Sequence, residues 1–289
     1  MRVKIEIPTC LALLLALPLH AGGTPPFPTA HEAALDATEK PESEEAGFRR
    51  LRAEFNGIEA DRVPAYLYLP KREEGRRPAV LLQYGSGGSK GTDYIVELGR
   101  QFADHGFVVL TIDSPGRGER TKTDRKVSDW LFGDKGKEDF LHYCGDYSRA
   151  VDYLVSRDDV DYERIAFVGI SWGAITGVTF VAHDDRVKAM ASICGGGGFL
   201  DLAGLLGGKS KDSVDPVKHV AAIAPRPLLL INGKQDIMIP YPFAKALHNA
   251  AGKGAKKVWL DTNHYFEGVD RRDLGKSVID FIDEAFGTL

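Results

Sequence analysis

The chain has 289 residues, 43% of them apolar, and a formal charge of −4. That length can bury a substantial core, and acidic and basic residues are interspersed, which argues against a nucleic-acid partner. The densest basic stretch, RGERTKTDRK (117–126), is broken by Glu119 and Asp124 and fits a solvated loop; three cysteines are too few for a disulfide-built scaffold.

The N-terminus, MRVKIEIPTCLALLLALPLHAGG, places Arg2 and Lys4 before an apolar run and small residues near Ala21. This order predicts a secretory signal peptide over residues 1–21, with an apolar run too short to span a bilayer. Export to the periplasm or beyond follows as an expectation. Cys10 precedes the apolar run, which argues against a lipoprotein anchor. Residues 22–46 are rich in Pro, Glu and Thr and predict a flexible tether.

From there, apolar runs of strand length alternate with helical spacing. RVPAYLYLP (62–70) alternates as a half-buried strand does. AVLLQYG (79–85), FVVLTID (107–113), RIAFVGI (164–170), VKAMASIC (187–194), RPLLLIN (226–232) and KKVWLDT (256–262) predict strands buried on both faces. Helices are predicted over 93–106, 138–157, 174–185, 241–252 and 274–286, the first stopped by Gly106. Strand alternating with helix predicts one α/β domain over 47–289: a mostly parallel, doubly wound sheet with helices on both faces.

One junction is crowded with small residues. Gly169-Ile170-Ser171-Trp172-Gly173 lies between the strand ending at Ile170 and the next helix, the context of a nucleophile elbow. A serine hydroxyl needs a base and a group to orient that base, in the chain order serine, acid, histidine. Asp236 and His264 each follow a buried strand. Asp261 is the competing acid, but it lies three residues before His264 at a strand end, where a capping role suits it better. His105, His142, His183, His219 and His248 fall in or beside helices and read as surface or packing residues. The developing oxyanion needs donors: the Trp172 N–H in the first turn of the helix, and the Ser86 N–H in the glycine loop QYGSGGSKG (83–91). A base of this kind acts unprotonated, so activity is expected to decline towards acid. Neither a metal nor an organic cofactor is expected.

The segments VLLQYGSGG, TIDSPGRGER, FVGISWGAITG, VAAIAPRPLLLINGKQD and DTNHYF resemble the α/β-hydrolase superfamily. Within it they are similar to the branch shared by dienelactone-hydrolase-like proteins and acetyl xylan esterases. The resemblance implies Ser171 as nucleophile, Asp236 as acid, His264 as base and an oxyanion contribution from Ser86. It implies a structural role for DSPGRGER, and none in chemistry for Arg117 or Glu119. Dienelactone hydrolases themselves carry cysteine where this chain has Ser171, and the His-Gly that commonly precedes the oxyanion residue in the superfamily is Tyr84-Gly85 here.

The expectation is a serine esterase acting through an acyl-enzyme on short-acyl esters, with carbohydrate as one alcohol. Specificity is expected from two loops, 128–140 and 195–213, rather than from a large cap. An acyltransferase with the same three groups would differ only in the acceptor its loops admit. A silent binding protein would have lost one of the three. AGLLGGKS (203–210) matches a loose P-loop but lacks a preceding strand and a following helix. GSGGSKG (85–91) has Lys90 where a dinucleotide fingerprint needs its third glycine.

Overall fold

The computed structural model of the protein describes residues 25–71, 75–121, 136–200 and 212–287. The expected signal segment, most of the 128–140 loop and the P-loop-like 203–210 lie outside them. Among the described residues nine strands form one sheet: β1 (Thr38–Glu44), β2 (Phe48–Asn56), β3 (Arg62–Pro70), β4 (Arg77–Gln83), β5 (Val108–Ile112), β6 (Val160–Ile170), β7 (Ala189–Ile193), β8 (Leu228–Gly233) and β9 (Lys256–Leu260). Their spatial order is β1-β2-β3-β5-β4-β6-β7-β8-β9. Strands β4 to β9 run parallel, and β1, β2 and β3 form an antiparallel edge.

The continuous apolar runs are explained by two covered faces. Val80 and Leu82 pack with α1 (Asp93–His105) and α6 (Arg271–Phe286), through Leu98, Phe102, Val278 and Ile282. Ala79 and Leu81 turn the other way, towards α2 (Gly136–Val155), α3 (Trp172–His183) and α5 (Tyr241–Ala250). With either helix layer removed, alternate side chains of every central strand would face water. The helix α4 (Pro216–His219) is a single turn capped by Asp215.

Three features depart from the sequence expectation. Strand β9, expected to be buried on both faces, lies at the edge of the sheet with its side chains exposed or half-buried. Residues 48–56 form β2, for which no element is predicted. The 22–46 segment is also no tether where it is described: residues 38–44 pair antiparallel with β2, and Phe27 is buried against Phe180. The physical reason is a buried cation. Arg149, mid-way along α2, is fully buried and donates to the carbonyls of Ala30, Ala33 and Ala34 at 2.8, 3.0 and 3.2 Å. It also donates to Asn56 O at 3.1 Å and Asp152 Oδ2 at 2.7 Å. Five donors in a planar fork thus pin the segment to the domain.

The sheet places the site. After β4 the chain crosses α1 to β5, then returns over α2 to β6 on the opposite flank of β4. The loops leaving β4 and β6 diverge there, opening a crevice at the carboxyl edge of the sheet.

Candidate active site

Ser171 occupies the single residue between β6 and α3, with φ 53° and ψ −111°. A non-glycine residue in that region stores about 1–3 kcal/mol of strain and needs its surroundings to hold it. Ser171 N–H donates to Ile193 O at 2.7 Å, and Gly173 N–H donates to Tyr84 O at 3.0 Å. The turn leaves no room for side chains on either flank. A Cβ at residue 169 would sit 2.6 Å from the Gly173 carbonyl carbon, and one at residue 173 would sit 2.7 Å from Tyr84 O.

His264 lies in the loop after β9. Asn263 Oδ1 accepts from Tyr265 N–H at 3.0 Å, and Thr262 Oγ1 donates to Glu267 O at 2.7 Å, which fixes the loop. The imidazole Nδ1 is 2.7 Å from Asp236 Oδ2, and Nε2 is 3.1 Å from Ser171 Oγ. Asp236, in the loop after β8, is itself oriented: its Oδ1 accepts from the Met238 and Ile239 amides, each at 2.8 Å. Three side chains from three loops thus form one hydrogen-bonded line. Asp261 is not part of it; its carboxylate accepts from Gln235 Nε2 at 3.1 Å on the exposed side.

The five histidines in or beside helices have other partners. His105 meets Asp283 at 2.9 Å, His183 meets His219 at 2.9 Å, and His142 lies 3.6 Å from Asp146. His248 bonds Asn232 Oδ1 at 2.8 Å, and burial pushes its pKa down to about 4.

Ser86 lines a cavity of about 370 Å³ together with Tyr94, Ser171, His264, Tyr265 and Arg271. Trp172 opens α3, and its ring packs edge-on to Phe140. Tyr84, where a histidine commonly precedes the glycine, turns its hydroxyl inward and accepts from Ser114 N–H at 2.7 Å. The glycine loop is anchored from below by a buried ion pair. Lys90 Nζ donates to Asp113 Oδ2 and to Glu119 Oε1, both at 2.6 Å, and Lys90 N–H donates to Asp113 Oδ1 at 3.0 Å. Arg52 and Lys90 hold the Glu119 carboxyl down at about 2. DSPGRGER therefore braces the loop that carries Ser86. The signal for Lys90 was a lysine inside a glycine loop, followed by an acid at the end of the next strand.

Cys144 and Cys194 are both buried and free. Cys194, which follows β7, lies beneath the histidine with its Sγ 3.4 Å from His264 O. Burial, with the Asp236 charge beside it, pushes its thiol up, so it remains protonated. Cys194, Asp236 and His264 offer ligand atoms within 4.8 Å of one another. The 2.7 Å between Nδ1 and Oδ2 is a hydrogen bond, shorter than the ~3.3 Å that two ligands of one tetrahedral zinc would require. The other acidic cluster, Asp61, His142 and Asp146, already holds the Arg120 guanidinium between its two carboxylates.

The sequence profile of the Dienelactone hydrolase family matches residues 63–271. The chain belongs to the dienelactone hydrolase family. This family member is 30% identical over 240 residues to the Bacillus subtilis (strain 168) protein named "Putative hydrolase YtaP", covering 74% of the chain and 78% of the relative. Its fold is similar to that of an acetyl xylan esterase from Paenibacillus sp. R4, with a TM-score of 0.73 and 19% identity over 88% of this chain and 90% of the other. A cold-adapted esterase from an Arctic intertidal metagenomic library superposes with a TM-score of 0.64 and 20% identity, over 85% of this chain and 97% of that one. Like its family, the protein is a hydrolase of carboxylic esters built on the α/β-hydrolase fold. Among the described residues, no helix of this family member is long and apolar enough to cross a membrane.

Proposed function

We propose that this dienelactone hydrolase family member is a serine esterase that cleaves short-acyl esters through an acyl-enzyme on Ser171. The observation that carries this reading is the line from Asp236 Oδ2 to His264 to Ser171 Oγ, at 2.7 and 3.1 Å. His264 Nε2 takes the Ser171 proton as Oγ adds to the ester carbonyl carbon, and Asp236 holds the imidazole and stabilises its positive charge. The Ser86 and Trp172 amides receive the charge that develops on the carbonyl oxygen. The imidazolium then protonates the leaving alcohol, and water enters along the same route to release the acid.

The substrate reading rests on the shape of the crevice. Beside Ser171 the wall is glycine (Gly85, Gly87, Gly88), which leaves room for a small acyl group close to the hydroxyl. Outside it stand Tyr265 and Met238, 69% and 56% exposed, a broad entrance against which a sugar or another larger alcohol can rest. The likeness to an acetyl xylan esterase agrees with this choice of substrate. Turnover of p-nitrophenyl esters from acetate to octanoate tests it, with Ser171→Ala as the blank. We expect kcat/KM to be highest for acetate or propionate and to fall at least tenfold by octanoate. Activity that rises with chain length would overturn the short-acyl reading. We also propose that the protein is exported, on the order of charged, apolar and small residues over 1–21.

A further inference from the structure

Tyr94, the second residue of α1, reaches back to the loop after β4. Its Oη accepts a hydrogen bond from Gly85 N–H at 2.9 Å. The amide next to Ser86 is thereby committed to a phenol. A phenol oxygen that accepts one hydrogen bond still carries a proton to donate. Among the described residues no acceptor takes that proton, and Tyr94 lines the same cavity as Ser171. The two hydroxyls border one small space. A Cβ on Gly85 would lie 3.5 Å from Ser171 Oγ, 3.5 Å from Tyr94 Oη and 3.1 Å from Ser171 Cβ. Glycine at 85 keeps that space open for a substrate atom. Burial raises the Tyr94 phenol above its ordinary range, so it stays protonated wherever an esterase base works.

We infer that Tyr94 is a catalytic hydrogen-bond donor to the substrate carbonyl oxygen, acting beside the Ser86 and Trp172 amides. The inference rests on the acyl-enzyme reading above and adds a side chain to it. As Ser171 Oγ bonds to the carbonyl carbon, the π pair moves onto oxygen and the Ser171 proton passes to His264. Tyr94 keeps its own proton and shares it with the new oxyanion. The bond it accepts from Gly85 polarises the hydroxyl in the direction that strengthens this donation.

The test is Tyr94→Phe, assayed on the acetate ester. Loss of one oxyanion donor typically costs about 10²–10³ in kcat, and that loss with KM nearly unchanged is the expected result. Ser171 should still be modified by a fluorophosphonate in this variant, which separates the inference from the Ser171 reading. Because phenylalanine also strips Gly85 N–H of its acceptor, a second series keeps the oxygen. Residue 94 is replaced by fluorinated tyrosines of graded phenol acidity, and affinity is measured for a trifluoromethyl ketone, which forms a tetrahedral alkoxide on the serine. A donor role predicts tighter binding as the phenol becomes more acidic, with the melting temperature unchanged. Wild-type kcat in Tyr94→Phe, a change in KM alone, or affinity indifferent to phenol acidity would each overturn the inference. If wild type forms no ketone adduct and takes no fluorophosphonate, the Ser171 reading fails and this inference fails with it.

Discussion

Asp236→Asn is expected to lower kcat/KM by about 10⁴-fold, the scale of removing the negative charge behind a catalytic imidazole, while Asp261→Asn stays within about twofold. The asymmetry follows from what each carboxylate touches. Asp236 is 5% exposed, with one oxygen on His264 Nδ1 and the other held by two backbone amides. An asparagine there can keep the shape of the site, but its amide can present N–H to Nδ1 and favour the wrong imidazole tautomer. Nε2 then carries the proton and cannot take one from Ser171. Among the described residues Asp261 meets only Gln235, on the exposed side, and its loss changes a surface contact. Steady-state kinetics of the two variants, each with an unchanged thermal midpoint, decide the matter. A large loss in Asp261→Asn with Asp236→Asn near wild type would reverse the assignment of the acid.

The largest effect on stability is expected at Arg149. Truncation to alanine removes a fully buried guanidinium from Asp152 and from four backbone carbonyls. Breaking a buried charge pair of this kind costs about 3–5 kcal/mol. Asp152 keeps Arg186 and His31 as partners, and the Ala30 and Ala34 carbonyls keep Ala33 N–H and Asn56 Nδ2, so the main injury is the lost tie between α2 and the carbonyls of Ala30, Ala33, Ala34 and Asn56. Arg149→Lys keeps the charge but not the fork and should fall between wild type and alanine. The checks are urea midpoints for the three proteins and limited proteolysis over residues 25–46. A loss below about 1 kcal/mol, with that segment still protected, would mean that β1 and Phe27 hold it without the arginine.

These two residues also mark how far the sequence could be followed. Asp236 and His264 were legible because each sits just beyond an apolar run, and the fold puts such positions at one edge of the sheet. Ser171 was legible because steric crowding at an elbow demands glycines in a fixed pattern around it. Arg149 was not legible. A lone arginine in a helical stretch looks like a solvated residue until the segment 115–119 residues away in sequence covers it. The strand over 38–44 escaped for a related reason: its side chains are almost all exposed, and only backbone pairing to β2 defines it. Tyr94 and Lys90 lie where helix spacing and loop composition are informative, yet their targets, Gly85 N–H and Asp113, are set by how α1 and β5 pack. Local pattern exposed the elements and the ends of strands. Contacts made by single polar side chains across the fold stayed hidden.

Ser171 as the activated nucleophile is tested most directly by covalent trapping. A fluorophosphonate is incubated with wild type and with Ser171→Ala, and the intact mass and tryptic peptides are read. One adduct per chain is expected on the peptide Ile165–Arg186, assigned to Ser171 and absent from the alanine variant. An unlabelled wild type, or an adduct on another residue that survives Ser171→Ala, would contradict it.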